Sequence, residues 1–200
     1  MQLVRHRVNS IEELQGLRTD LGVELDLRSH GGRLIISHDP AAHGDPLDGY
    51  LRAFADSRRD RTLILNTKED GWEKHVLLML KGLKLKNFFF LDLNPATMVG
   101  LVRNGIHQVA VRVSEYESLE TALRFKGLAD WVWLDCFSGR PPDPALIRKL
   151  RKSFRVCLAS PELHGYAGSR IARFKALAPL VDMVCTKRPD AWRPARSPHG

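Results

Sequence analysis

The sequence predicts an α/β fold: a (β/α)8 TIM barrel with a small β-hairpin after its second strand. Three observations carry this prediction. Eight short β-type runs alternate with helix-type stretches from end to end, a pattern that builds a mainly parallel sheet. Eight repeats suit a closed barrel, with an open doubly wound sheet as the rival. The 200 residues suit one domain rather than two. They fall below the roughly 250 residues of an ordinary barrel, so the loops must be lean.

The elements follow in order. The first strand is LVRHRV (3–8). Ser10 opens a helix with Glu13 three residues on, a capping-box pattern. The second strand is GVELDLR (22–28), and Gly31-Gly32 joins GVELDLRSH to RLIISHD as a hairpin. TLILNTK (62–68) precedes the helix GWEKHVLLMLKGL, and FFFLDL (88–93) precedes NPATMVGLVRNG. Lys81-Gly82 and Asn104-Gly105 are C-terminal stops for those two helices. QVAVRVS (108–114), WVWLDCF (131–137) and RVCLAS (155–160) are each followed by a helix-type stretch: ESLETALRFKGL, PPDPALIRKLRKS and GSRIARFKALAPL. DMVCTK (182–187) is the last strand. One domain is expected over 1–190, with AWRPARSPHG (191–200) as a flexible tail, since it carries Pro, Arg and Gly without periodicity.

Composition narrows the partners. Lys and Arg total 31 against 23 Asp and Glu, a net charge of +8. The first hundred residues balance at 14 and 14, while the second hundred hold 17 basic and 9 acidic residues. An anionic partner fits. The basic run RKLRKSFR (148–155) lies on a helix-type stretch and reads as a solvated face. No nucleic-acid motif accompanies it, so no nucleic-acid partner is expected. No apolar run approaches the roughly 18 residues of a membrane span, and the start lacks the apolar core of a signal peptide. Cys136, Cys157 and Cys185 sit in apolar runs without metal or disulfide spacing, as buried thiols of a reducing compartment do. A cytoplasmic location is expected.

Barrel active sites are built at the C-terminal ends of the strands. Those ends carry His6 and Arg7, Glu24 and Asp26, Asn66 and Lys68, Asp92, Arg112 and Ser114, Asp135, Ser160 and Glu162, and Thr186 and Lys187, and the hairpin adds His38 and Asp39. A charge inside an apolar run is costly unless paired or metal-bound. Glu24 and Asp26 are two apart and share one strand face. Two such carboxylates call for a cation: Mg²⁺ or Ca²⁺, or alternatively an ion pair with Lys68 or Arg112. His6 and His38 can supply imidazole chemistry near neutral pH. Metal, imidazoles and cations together suit phosphoryl chemistry.

These residues resemble the glycerophosphodiester phosphodiesterase family, within the phospholipase C-like TIM barrels. His6-Arg7-Val8-Asn9-Ser10 is similar to the family's His-Arg-Gly and Glu-Asn-Thr start. Glu24-Leu25-Asp26, followed by His38-Asp39, resembles its Glu-x-Asp and His-Asp unit. The 181–190 segment resembles its last strand, and the match spans nearly the whole chain. The resemblance implies a metal-dependent hydrolase of lipid metabolism acting on a small anionic phosphodiester, glycerol phosphate-based or related. It implies His6 and His38 as acid and base, and Glu24, Asp26 and Asn66 as metal ligands. From their strand-end positions, Arg7, Lys68, Arg112 and Lys187 are expected to bind the phosphate, with Asp92 and Asp135 as possible additional ligands. Two departures stand out: Val8 replaces a glycine, and Asn66-Thr67-Lys68 stands where the family has Glu-x-Lys. The alternative is a catalytically altered barrel that binds a phosphorylated sugar or lipid head group, and Asn66 favours it.

Overall fold

The structure is a computed structural model that describes residues 1–40, 43–57 and 60–193. Among the described residues there are ten strands: β1 (Gln2–Arg5), β2 (Gly22–His30), β3 (Arg33–Ile36), β4 (Asp45–Pro46), β5 (Leu63–Thr67), β6 (Phe88–Leu91), β7 (Ala110–Val113), β8 (Trp131–Leu134), β9 (Arg155–Ala159) and β10 (Met183–Thr186). Parallel pairings run β6–β5–β2–β1–β10–β9–β8–β7. Between β6 and β7 the ladder thins to one parallel bridge, Phe90 to Val109. The eight-stranded ring is therefore the predicted barrel, with one weak seam.

The helices are α1 (Ile11–Gly16), α2 (Leu47–Ser57), α3 (Glu73–Gly82), α4 (Pro95–Arg103), α5 (Leu119–Leu123), α6 (Pro144–Leu150), α7 (Ile171–Phe174) and α8 (Pro189–Trp192). Ser10 caps α1 as expected, its hydroxyl accepting from the Glu13 N–H at 3.0 Å. Helix α2 was not among the expected elements, although its buried Leu47, Tyr50, Leu51 and Phe54 form an i, i+3, i+4, i+7 stripe. The expected helix over 168–180 is broken into 3₁₀, α and 3₁₀ pieces, the last containing Pro179, which lacks an N–H to donate. On α6 and the turn after it, Ile147, Leu150 and Phe154 are buried while Arg148, Lys149, Arg151 and Lys152 are exposed. That basic run is a solvated outer face.

The hairpin forms where the two glycines place it. Gly31 and Gly32 have φ of 56° and 75°, the conformation a two-residue turn needs and L-residues resist. β3 pairs antiparallel with β2 from Leu27–Ile36 to His30–Arg33. The tail boundary expected after Asp190 falls inside α8. Trp192 is buried and its indole N–H donates to Ser160 Oγ at 2.9 Å. Residues 194–200 lie outside the described residues. Among the described residues no helix is long and apolar enough to cross a membrane.

Two apolar layers result. Val4, Ile64, Phe89, Ala110, Trp133 and Cys185 belong to an inner cluster that fills the barrel. Leu25, Leu65, Phe90, Val111 and Val184 face outward into a larger cluster under the helices. Side chains alternate along each strand. The next inward positions above the inner cluster are therefore His6, Asn66, Arg112, Asp135 and Lys187. The barrel floor is hydrophobic and its C-terminal mouth is charged.

Candidate active site

Glu24 and Asp26 are fully buried on β2. Each is held by donors from neighbouring elements. Glu24 accepts from the Arg7 backbone N–H at 2.7 Å and from Asn66 Nδ2 at 2.9 Å. Asp26 accepts from Asn9 Nδ2 at 2.8 Å, and the Asp26 N–H donates back to Asn9 Oδ1 at 3.0 Å. Lys68 Nζ lies 2.9 Å from Asp26 Oδ1, and Arg7 Nε lies 3.5 Å from Asp26 Oδ2. Arg7 takes the left-handed conformation, φ 53°. The strain, about 1 kcal/mol, persists because it aims the Arg7 N–H at a buried carboxylate. Asn9 is a site residue that sequence reasoning quoted only as part of a motif.

The two carboxyls are pushed apart. Burial, then the Asp26 charge, raises Glu24 to about 7. Burial also works to raise Asp26, but Asn9 and Lys68 outweigh it and leave that group below its usual value. His6 Nε2 sits 3.7 Å from Glu24 Oε2. Burial, then the Arg7 and Lys187 charges, lowers His6 to about 3, so its imidazole is neutral at neutral pH. His6 Nδ1 has no hydrogen-bond partner. Lys187 is exposed, and its N–H donates to Glu162 Oε1 at 3.0 Å. His38, on the hairpin, is bound through Nδ1 to Asp39 Oδ1 at 2.8 Å, and its carbonyl accepts from Arg28 Nε at 2.9 Å.

These shifts have opposed effects on stability. Glu24 is raised from 4.5 to about 7. Its contribution is complete below pH 4.5 and is lost as pH rises towards 7. His6 is lowered from 6.5 to about 3. Its contribution is complete above pH 6.5 and is lost as pH falls towards 3. Stability to urea is expected to be nearly flat between pH 4.5 and 6.5. In His6→Gln it should fall as pH rises through that window. A variant that instead gains stability with pH there would contradict the assignment.

Three predicted residues are brought together, but not around Glu24 and Asp26. The Arg112 guanidinium pairs with Asp135 through Nη1 and with Asp92 through Nη2, and its Nε lies 3.7 Å from Glu117 Oε1. Arg112, expected as a phosphate ligand, is here held as a clamp between β6, β7 and β8. Asp92 and Asp135, expected as possible additional ligands, are its ion-pair partners. The physical reason is position: β7 lies three strands from β2 around the ring, and one guanidinium fork matches two carboxylates on its flanking strands. His164, which the sequence did not single out, adds Nε2 at 3.0 Å from Asp135 Oδ1. Glu162 accepts from Ser160 Oγ, Thr186 Oγ1 and the Lys187 N–H. It fastens the end of β9 to the end of β10.

The donor set around Glu24 fits a hard divalent ion. Asn66 Oδ1 is buried without a hydrogen-bond partner. It belongs to an amide bonded to a carboxyl that burial and a neighbouring carboxylate hold near 7. A cation relieves both the orphaned carbonyl and the charge repulsion. Among the described residues no group of three His, Cys, Asp or Glu side chains is placed to hold a metal ion, so a third ligand would have to be the Asn66 amide oxygen.

No family model matches the sequence, and no curated protein matches it. Solved structures do match in fold. A glycerophosphodiester phosphodiesterase from Agrobacterium tumefaciens str. C58 gives a TM-score of 0.70 at 18% identity, over 96% of this chain and 97% of that chain. A glycerophosphoryl diester phosphodiesterase from Parabacteroides distasonis ATCC 8503 gives 0.65 at 12% identity, over 96% of this chain and 84% of that chain. A phosphodiesterase from Oleispira antarctica, solved in complex with the product sn-glycerol-3-phosphate, gives 0.65 at 14% identity, over 96% and 95%. The likeness is one of fold alone: this chain has the TIM-barrel fold that these phosphodiesterases share.

Proposed function

We propose that this chain is a metal-dependent phosphodiester hydrolase acting on a glycerol-phosphate diester or a close relative. The observation that carries the reading is the cluster of Glu24, Asp26 and Lys68 beside His6 at the mouth of this barrel. Glu24, Asp26 and Asn66 would hold Mg²⁺ or Ca²⁺. Such an ion supplies Lewis-acid charge to the phosphate oxygens. Lys68, Lys187 and Arg7 add positive charge on the same side and bind the anion. His6, neutral at working pH, takes the proton from the attacking oxygen. His38, with Nδ1 fixed by Asp39, uses Nε2 to deliver a proton to the leaving alcohol. The reading places the protein in the cytoplasm, where three free, buried thiols suit a reducing compartment.

The test is a panel of glycerophosphodiesters assayed with and without EDTA. Turnover should occur on at least one substrate and vanish on chelation. Asn66→Glu restores a third carboxylate and should tighten divalent-ion binding by roughly tenfold, since ligand charge sets affinity. The second reading, a binding protein for a phosphorylated sugar or lipid head group, rests on Asn66. It takes over if wild type and Asn66→Glu both bind the ion and neither turns over any diester.

A further inference from the structure

We infer that the seam between β6 and β7 opens into a side pocket that receives an alkyl chain on the phosphate-bearing ligand. The inference rests on the proposed phosphate site at the mouth, but not on turnover there.

The seam is the thinnest pairing of the ring; β1 and β2 pair over two residues and the other neighbours over three or more. β5 pairs with β6 over four residues, from Leu63–Phe88 to Asn66–Leu91, and β7 pairs with β8 over four, from Ala110–Trp131 to Val113–Leu134. β6 and β7 share one bridge, Phe90 to Val109, with the Phe90 N–H donating to the Gln108 carbonyl at 3.0 Å. Just above it Asp92 is left-handed, φ 63°. That conformation is costly for a side chain and turns the chain at the seam.

A cavity of about 350 Å³ occupies this place. Its wall includes Leu91 and Ala110 of the inner cluster together with Leu93, Met98 and Val111 of the outer cluster. A cavity walled by both layers passes between the strands. Its rim carries Asp92, Arg112 and Glu117, the clamp described above. The deep walls are hydrocarbon, which suits an alkyl chain and not a sugar ring that needs hydrogen-bond partners. The volume exceeds twice that of a cavity of about 150 Å³ that admits benzene, so a short chain fits.

Reach supports the same occupant. Lys68 follows β5, the neighbour of β6. With strands about 4.8 Å apart, an anion at Lys68 lies on the order of 10 Å from the seam. That span suits the polar linker of an amphiphile whose head is a phosphate. Arg112 is already held by two carboxylates, so it does not compete for that head.

The experiment is calorimetric titration of the full chain with n-alkyl phosphates from methyl to octyl. Each added methylene should tighten binding by about fourfold until the pocket fills, the worth of one buried CH₂. Val111→Phe fills the pocket and should flatten the series while leaving methyl phosphate binding intact. Leu93→Phe repeats the test from the other wall if Val111→Phe does not fold. Affinity independent of chain length, no binding at any length, or a chain-length series unchanged by filling, would each overturn the inference. A series that behaves as expected in a protein with no diester turnover would keep the pocket and refute the hydrolase reading.

Discussion

His6→Ala is expected to lose about 10²–10⁴-fold in kcat on any diester the protein hydrolyses, the usual worth of one positioned proton-transfer group. The expectation follows from geometry and charge together. His6 lies at the first inward position above the apolar floor, 3.7 Å from Glu24, and burial with the Arg7 and Lys187 charges keeps it neutral. Its Nδ1 has no protein partner, so the substitution deletes no internal hydrogen bond from that atom. The fold should survive, because residues at this face of a barrel serve function more than stability. Steady-state kinetics beside a urea melt separates the two effects. Wild-type kcat in a folded His6→Ala protein would remove His6 from the chemistry.

Arg112→Met is expected to cost about 3–5 kcal/mol of stability, the usual penalty for leaving a buried charge without its partner. The Asp135 side chain is 1% exposed and is paired by Arg112. Asp92, on the other fork, is 30% exposed, so Asp92→Asn should cost under about 1 kcal/mol. His164 bears on the conditions. Burial, then the Arg112 charge, lowers its value. Without Arg112 it can protonate beside Asp135 and recover part of the loss at low pH. The urea melts therefore belong at about pH 8, where the full cost is read. Arg112→Met combined with Asp135→Leu should recover most of the stability. A small loss for Arg112→Met alone would show that Asp135 does not depend on the clamp.

The strands, the hairpin and the carboxylate pair were legible in the sequence because each is a local property. Period-two alternation assigns Glu24 and Asp26 to one face of β2 without knowledge of any neighbour. Gly31-Gly32 specifies its turn by backbone conformation alone. The order of strands also follows, since short βα connections place successive strands side by side. That is why the mouth residues could be named before their partners were known. Helix α2, absent from the expected elements, is a local property of the same kind, written in its stripe of Leu47, Tyr50, Leu51 and Phe54.

Pairing across the ring was decided only by the tertiary structure. The sequence left Lys68 and Arg112 as equal partners for the β2 carboxylates. Closure put β5 beside β2 and β7 three strands away, so Lys68 reaches Asp26 while Arg112 reaches Asp92 and Asp135. His164 joins Asp135 from a 3₁₀ turn that no periodicity marks. The seam is likewise invisible in FFFLDL and QVAVRVS, each an ordinary strand by itself. Local sequence sets which way a side chain points. Which charge it meets depends on contacts between residues far apart in the chain, and those exist only once the barrel has closed.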